Sequence, residues 1–140
     1  MLLSDLDSVE KLFKMSVECA EKTKFTHNKA LSQTQSVFMW QNNLLKFYME
    51  HDIGKAIDYS KELIDELGNI LPKNDLSDLR FSLATSYALQ GDTEMLDSAQ
   101  DLFKASLADA LPAHRGFIHN NLGMTHFYKF VALSSTITDP

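Results

Sequence analysis

The stretch LATSYALQGDTEMLDSAQDLFKASLADALP, residues 83–112, reads as two helices folded back on each other. Its first half ends at Gly91, a residue suited to a left-handed helix C-cap, and Asp92 follows at once as an N-cap for the next helix. Ala99 and Phe103 then stand four residues apart on one helical face, and Pro112 closes the segment.

Outward from this hairpin, apolar residues recur at helical spacing and alternating strand-like runs are scarce. Three prolines and five glycines punctuate the chain, and the clearest breaks, at Pro72 and Pro112, leave room for long helices between them. Six helices are expected, over residues 5–22, 29–50, 53–71, 76–90, 92–110 and 115–133. The first carries Leu6, Val9, Leu12, Phe13 and Val17 behind Ser4 or Asp5 as a cap, and a polar connection over residues 23–28 follows it. The second carries Val37, Trp40, Leu44, Leu45, Phe47 and Tyr48, and Asp52 caps the third, whose apolar side is Ile57, Leu63, Ile64, Leu67 and Leu71. Pro72 is expected to stop the third helix, with Lys73, Asn74 and Asp75 as a turn. The last residues, 134–140, read as a frayed polar tail. With 140 residues and 44% hydrophobic content, the chain can form a single domain over residues 1–140.

A shift of 39 residues superposes the second, fourth and sixth helices: Leu44, Leu83 and Leu122 align, then Leu45, Ala84 and Gly123, then Tyr48, Tyr87 and His126. Trp40, Leu79 and Ile118 align one turn earlier. The intervening helices follow, with Ile57 over Leu96, Ser60 over Ala99, Leu63 over Leu102 and Ile64 over Phe103. A large apolar residue beside a small one lets two helices seat closely, and an aromatic one turn on fills the gap to the next hairpin. A one-residue shift of the first copy is an alternative, placing Trp40 and Phe47 at the aromatic positions and Ala56 at the small one.

In Leu83-Ala84-x-x-Tyr87-x-x-x-Gly91, Ala99-x-x-x-Phe103 and Pro112, and again in Asn121-Leu122-Gly123-x-x-His126, the chain resembles the tetratricopeptide repeat family. The family period is about 34 residues; here it is longer, and Leu45, Asp52 and Ser60 replace the small residue, the glycine and the alanine in the first copy. The resemblance covers residues 37–130. It implies an all-α fold, a tetratricopeptide-like right-handed superhelix of antiparallel hairpins: a lone helix 5–22, hairpins 29–71 and 76–110, and an unpaired helix 115–133. It also implies a concave groove lined by the second, fourth and sixth helices, at Asn42, Lys46 and Met49, at Asp78, Phe81, Thr85 and Ala88, and at Phe117, Asn120, Met124 and Phe127. Asn42 stands where the family's carboxylate-clamp members need a lysine and Lys46 where they need an asparagine, so a carboxylate clamp is not expected.

The expected role is a protein–protein interaction scaffold that holds a partner helix or extended segment through Asn42, Lys46, Phe81, Thr85, Phe117, Asn120, Met124, Phe127 and Tyr128. The alternative is a permanent structural or assembly subunit of a larger complex, because the sixth helix lacks the polar outer face a terminal repeat needs. Phe127, Tyr128, Val131 and Leu133 are expected to be covered by a further segment, a second copy of the chain, or the partner.

Charge and composition narrow the partner. Thirteen Lys and Arg against nineteen Asp and Glu give a net charge of −6, which repels nucleic acid and anionic lipid. No apolar run approaches the roughly 20 residues that cross a bilayer, and the acidic N-terminus is unlike a secretory or transit peptide. An intracellular, cytoplasmic chain is expected, or an organellar one if a targeting segment has been removed. The single Cys19 reads as a buried small residue on a helix.

Catalytic signals are sparse, and neither an enzyme nor a cofactor is expected. His119 and His126 share a helix face, but no acidic or cysteine ligand joins them at a matching turn, so metal is not expected either. Glu18 and Glu21, and Asp58, Glu62, Asp65 and Glu66, read as solvated faces. A small helical-bundle enzyme would need a titratable cluster that the sequence does not present.

Overall fold

The computed structural model describes residues 3–24 and 30–138. It contains α1 (Leu3–Lys24), α2 (Ala30–His51), α3 (Ile53–Leu67), α4 (Lys73–Gln90), α5 (Thr93–Asp109) and α6 (Pro112–Thr138), and no strand among the described residues. Each helix packs chiefly on its neighbours in the chain, and α4 touches α6 only sparsely across the intervening helix. This is the contact pattern of a helical repeat, in which each unit buries its apolar face on the next.

Local chemistry sets the boundaries. Asp52 and Asp92 both sit in extended backbone with their carboxylates accepting from Lys55 N at 3.2 Å and Met95 N at 2.8 Å, so both expected caps form. Pro72 does not stop α3: that helix ends at Leu67, with Gly68 as its cap, and Lys73, Asn74 and Asp75 are the first turn of α4 rather than a connecting turn. Likewise α6 begins at Pro112, not Arg115. Both prolines stand at helix starts, where a missing N–H costs nothing because the first donors have no intrahelical partner. At the N-terminus Ser4 and Asp5 lie inside α1, so neither is its cap; Asp5 instead meets the positive end of the helix dipole. The expected tail is helical through Thr138, since no glycine or proline interrupts propagation before Pro140. Of the expected 23–28 connection, Thr23 and Lys24 belong to α1 and the remainder lies outside the described residues.

The core has two parts, joined through α4. Leu44, Leu45, Tyr48, Ala56, Leu63 and Leu67 gather with Val17 and Phe38 in the N-terminal part, and Leu79 of α4 inserts among them. Ala84 of α4 belongs to the other part, with Ala99, Phe103 and Ile118. Three residues expected on inner faces are outside: Leu12 and Trp40 are exposed, and so is Cys19. Leu79 and Ile118, which align with Trp40, are buried. Trp40 differs because Gln41, Leu44 and Leu45 supply the inner face of α2 and turn their neighbour outward.

The helix boundaries recur at two spacings. Lys73 and Pro112 begin α4 and α6 at the 39-residue spacing, whereas the N-caps Asp52 and Asp92 are one residue further apart. Gly91 is the extra residue: it sits between Gln90 and Asp92, while His51 runs straight into Asp52. Asp52 is therefore the counterpart of Asp92 and not a replacement for the glycine. Among the described residues Gly91 alone has a positive φ, 83°, and its N–H caps α4 on Tyr87 O. A Cβ there would meet only Leu89 O at 4.0 Å. Gly91→Ala is therefore expected to cost only the backbone strain, about 1 kcal/mol in urea unfolding.

Candidate partner-binding groove

The helices α2, α4 and α6 present their sides to a common cleft of about 380 Å³. Asn42, Lys46 and Met49 come from α2, Asp78, Phe81 and Ser82 from α4, and His114, Phe117 and Ile118 from α6. Phe81 is half-buried and packs edge-on against Phe103, with centroids 5.7 Å apart, so its ring is both core and groove wall. Ile118 is a buried part of the lining and Phe117 stands 68% exposed.

Charge in this cleft is mixed. Asp78 Oδ1 lies 3.3 Å from His114 Nδ1, an ion pair when the imidazole is protonated. Burial pushes the Asp78 carboxyl above its ordinary pKa, with Asp75 adding to the rise, while His114 and Lys46 pull it back. A carboxylate ligand would meet Asp78 as well as Lys46, which adds a physical obstacle to a carboxylate clamp beyond the exchanged residues.

Further along α4 and α6 a smaller cleft of about 140 Å³ lies between Thr85, Ala88 and Leu89 on one side and Asn121, Met124 and Tyr128 on the other, with Phe103 among its lining residues. Asn121 reaches Thr85 Oγ1 at 3.4 Å, a weak bridge across it. The nine site residues expected from the sequence thus divide. Asn42, Lys46, Phe81 and Phe117 share the first cleft, Thr85, Met124 and Tyr128 share the second, and Asn120 and Phe127 line neither. Asn120 is exposed and donates weakly to Asn121 Oδ1 at 3.4 Å, and Phe127 is exposed with its ring tilted on Tyr128.

Beyond these clefts, α6 is inside out. Its buried or half-buried line runs through Ile118, Leu122, Thr125 and Lys129, and Lys129 bonds Asp97 of α5. Its outer sides carry Phe117, Phe127, Tyr128, Phe130, Val131 and Leu133, all exposed. Phe130, 68% exposed, was not among the expected site residues. Its signal in the sequence is the run Phe127-Tyr128-Lys129-Phe130-Val131, whose four large apolar groups fill a broad arc of the helix opposite Lys129.

Comparison with protein-family models, curated proteins and solved structures finds no match to this chain. The tetratricopeptide resemblance rests on the residues quoted above, and the site on its geometry. The most informative geometry is internal. On α4, Ser77 and Ala84 are buried, and Ser77 meets Ser106 of α5 directly. The same register on α6 carries Gly116 and Gly123, both exposed, and a Cβ built on either meets nothing within 4 Å. Gly123 therefore does not serve the close helix contact expected of a Leu-Gly pair, because no described helix packs over it.

His126 Nδ1 lies 3.0 Å from Gln100 Nε2; if that amide nitrogen is the donor, Nδ1 is the acceptor and the imidazole fixes α6 on α5. Among the described residues no three His, Cys, Asp or Glu are grouped to hold a metal ion, and no helix is long and apolar enough to cross a membrane.

Proposed function

We propose that this chain is a protein-interaction scaffold, and that α6 receives a partner helix much as α4 receives α5. The observation that carries this reading is the open stripe of Gly116 and Gly123, the register that on α4 is Ser77 and Ala84 and is buried toward α5. Small residues let a second helix approach closely, and the exposed Phe127, Phe130 and Leu133 are apolar area that gains when water is removed. The cleft at Asn42, Lys46, Phe81 and Phe117 supports an extended apolar segment bound alongside, with Asn42 bonding its backbone. No carboxylate clamp is proposed.

The length of the apolar side of α6, from Phe117 to Leu133, favours a lasting partner, so a structural or assembly subunit of a larger complex is the second reading. An enzyme is disfavoured. Asp78 and His114 form the groove's only close acid–base pair, and Ser82 in the same cleft makes no side-chain hydrogen bond to His114 among the described residues.

A library of amphipathic helical peptides displayed against the intact chain tests the proposal. Selected peptides are expected to lose at least about 30-fold in affinity, some 2 kcal/mol, on the double variant Gly116→Leu, Gly123→Leu. The same variant is expected to melt no lower than the parent, because leucine is the better helix former and the new side chains enter open space. Peptides that bind parent and variant equally would reject the α6 site. In light scattering, a dimer that the variant splits into monomers would assign the face to a second copy of the chain.

A further inference from the structure

On the N-terminal half, away from the groove, α1, α2 and α3 enclose a cleft of about 430 Å³ whose charge is strongly one-sided. Glu18 and Glu21 enter from α1, and Asp58, Glu62 and Glu66 from α3. Each set read by itself is a solvated helix face; the fold turns the two sets toward one space. None of the five is in an ion pair among the described residues. The two lysines at the cleft, Lys14 and Lys55, are both engaged by Glu10, at 3.0 Å each. Like charges at three- and four-residue spacing weaken a helix, and facing helices add to that repulsion.

A second observation concerns neutral chemistry. Gln41 of α2 lines this cleft, is only 5% exposed, and its Oε1 has no hydrogen-bond partner. Buried amide oxygens are nearly always bonded, so this one calls for an N–H donor. Rotation of the terminal amide is soft and can turn the oxygen toward an arriving group. Tyr48 and Tyr59 form an aromatic wall, edge to face at 5.8 Å, and Lys55 already stands over the Tyr48 ring at 5.7 Å from its centroid. That wall tolerates a cation on its face.

We propose that this cleft is a binding site for an organic cation, an ammonium or guanidinium group whose N–H donors reach Gln41 Oε1 while the carboxylates of Glu62, Glu66 and Glu21 hold its charge. A metal ion satisfies this set poorly, because the carboxylates are not grouped as ligands and the orphan acceptor asks for a donor rather than a Lewis acid. Two sources carry the same chemistry, a Lys or Arg side chain on a partner protein and a free polyamine. The site is independent of the α6 surface, so either can fail without the other.

The test is titration of the intact chain, at 150 mM NaCl to screen diffuse attraction, with spermidine and with a capped Gly-Arg-Gly-Arg-Gly peptide. The side-chain amide signals of Gln41 are followed by NMR. At least one probe is expected to saturate and move those signals. Glu62→Gln with Glu66→Gln is expected to weaken it at least tenfold, whereas the same charge change on α5, Glu94→Gln with Asp101→Asn, changes it less than twofold. Gln41→Leu leaves the net charge untouched and is expected to weaken binding at least fivefold. Tighter peptide binding assigns the cation to a partner's side chain, and tighter spermidine binding to a free polyamine. Equal losses from the α3 and α5 pairs, unchanged binding by a folded Gln41→Leu, or no saturation by either probe overturns the proposal. If Gln41→Leu does not fold, the contrast between the two exposed pairs decides the outcome.

Discussion

Phe103→Ala is expected to cost about 3–5 kcal/mol, and to open one half of the molecule before the other. Phe103 is fully buried, packs on Phe81, and belongs to the core formed by Ala84, Ala99 and Ile118. Removing the ring leaves a cavity among alanines, which have no side-chain reach with which to fill it. A small domain is stable by only about 5–15 kcal/mol, so a loss of this size threatens the fold. Most packing is between sequential helices, and the second core part shares only α4 with the first. Stability in such arrays is close to a sum over neighbouring units. Hydrogen exchange should therefore accelerate more in α5 and α6 than in α2 and α3. Uniform acceleration across all six helices would show that the two core parts unfold as one.

The hairpin over residues 83–112 was legible because its signals are local: Gly91 needs only its own backbone, and Asp92 needs only the N–H three residues on. Pro72 and Pro112 were read with the wrong polarity. A proline marks a boundary from sequence, but whether it ends one helix or begins the next depends on how many residues the connection needs. Here Gly68 to Leu71 already makes the turn after α3, leaving Pro72 free to start α4. Trp40 shows a different limit: on α2 apolar residues occupy more than one side, and only the neighbouring helices choose which side is inner.

Of the groove, the contributions of α2 and α4 were legible because repeat register places Asn42, Lys46 and Phe81 on one side. His114 was not, since its relevance comes from Asp78, 36 residues away, across two helices. Asn120 and Phe127 fell outside the clefts although they share the stripe of Phe117 and Met124; among the described residues α6 has no neighbour on that side beyond α4 to enclose them. The acidic cleft was invisible for the same reason that its charges are unfavourable. Glu18 and Glu62 are on separate helices, and nothing in either helix records that the other faces it.

A loss of about 3 kcal/mol is expected from Ser106→Leu, and its cause bears on the open face of α6. Ser77 and Ser106 are fully buried where the start of α4 meets the end of α5, and each hydroxyl donates to the other's carbonyl, at 2.7 and 2.8 Å. The two hydroxyl oxygens are themselves 2.9 Å apart. These distances leave no room for a larger side chain, so leucine must push α5 away from α4 and strip the contacts of Ala84, Ala99 and Phe103 above it. The double variant Ser77→Ala, Ser106→Ala separates the two effects. It removes both hydroxyls without adding volume; Ser77 O lies inside α4, whereas Ser106 O, in the last turn of α5, loses its donor, so the cost is expected to be about 1–2 kcal/mol, still below that of leucine. Urea unfolding of the three chains gives the comparison. If the double alanine variant loses as much as the leucine variant, hydrogen bonding rather than close approach holds α5 on α4. The parallel with Gly116 and Gly123, which depends on close approach alone, would then lose its physical basis.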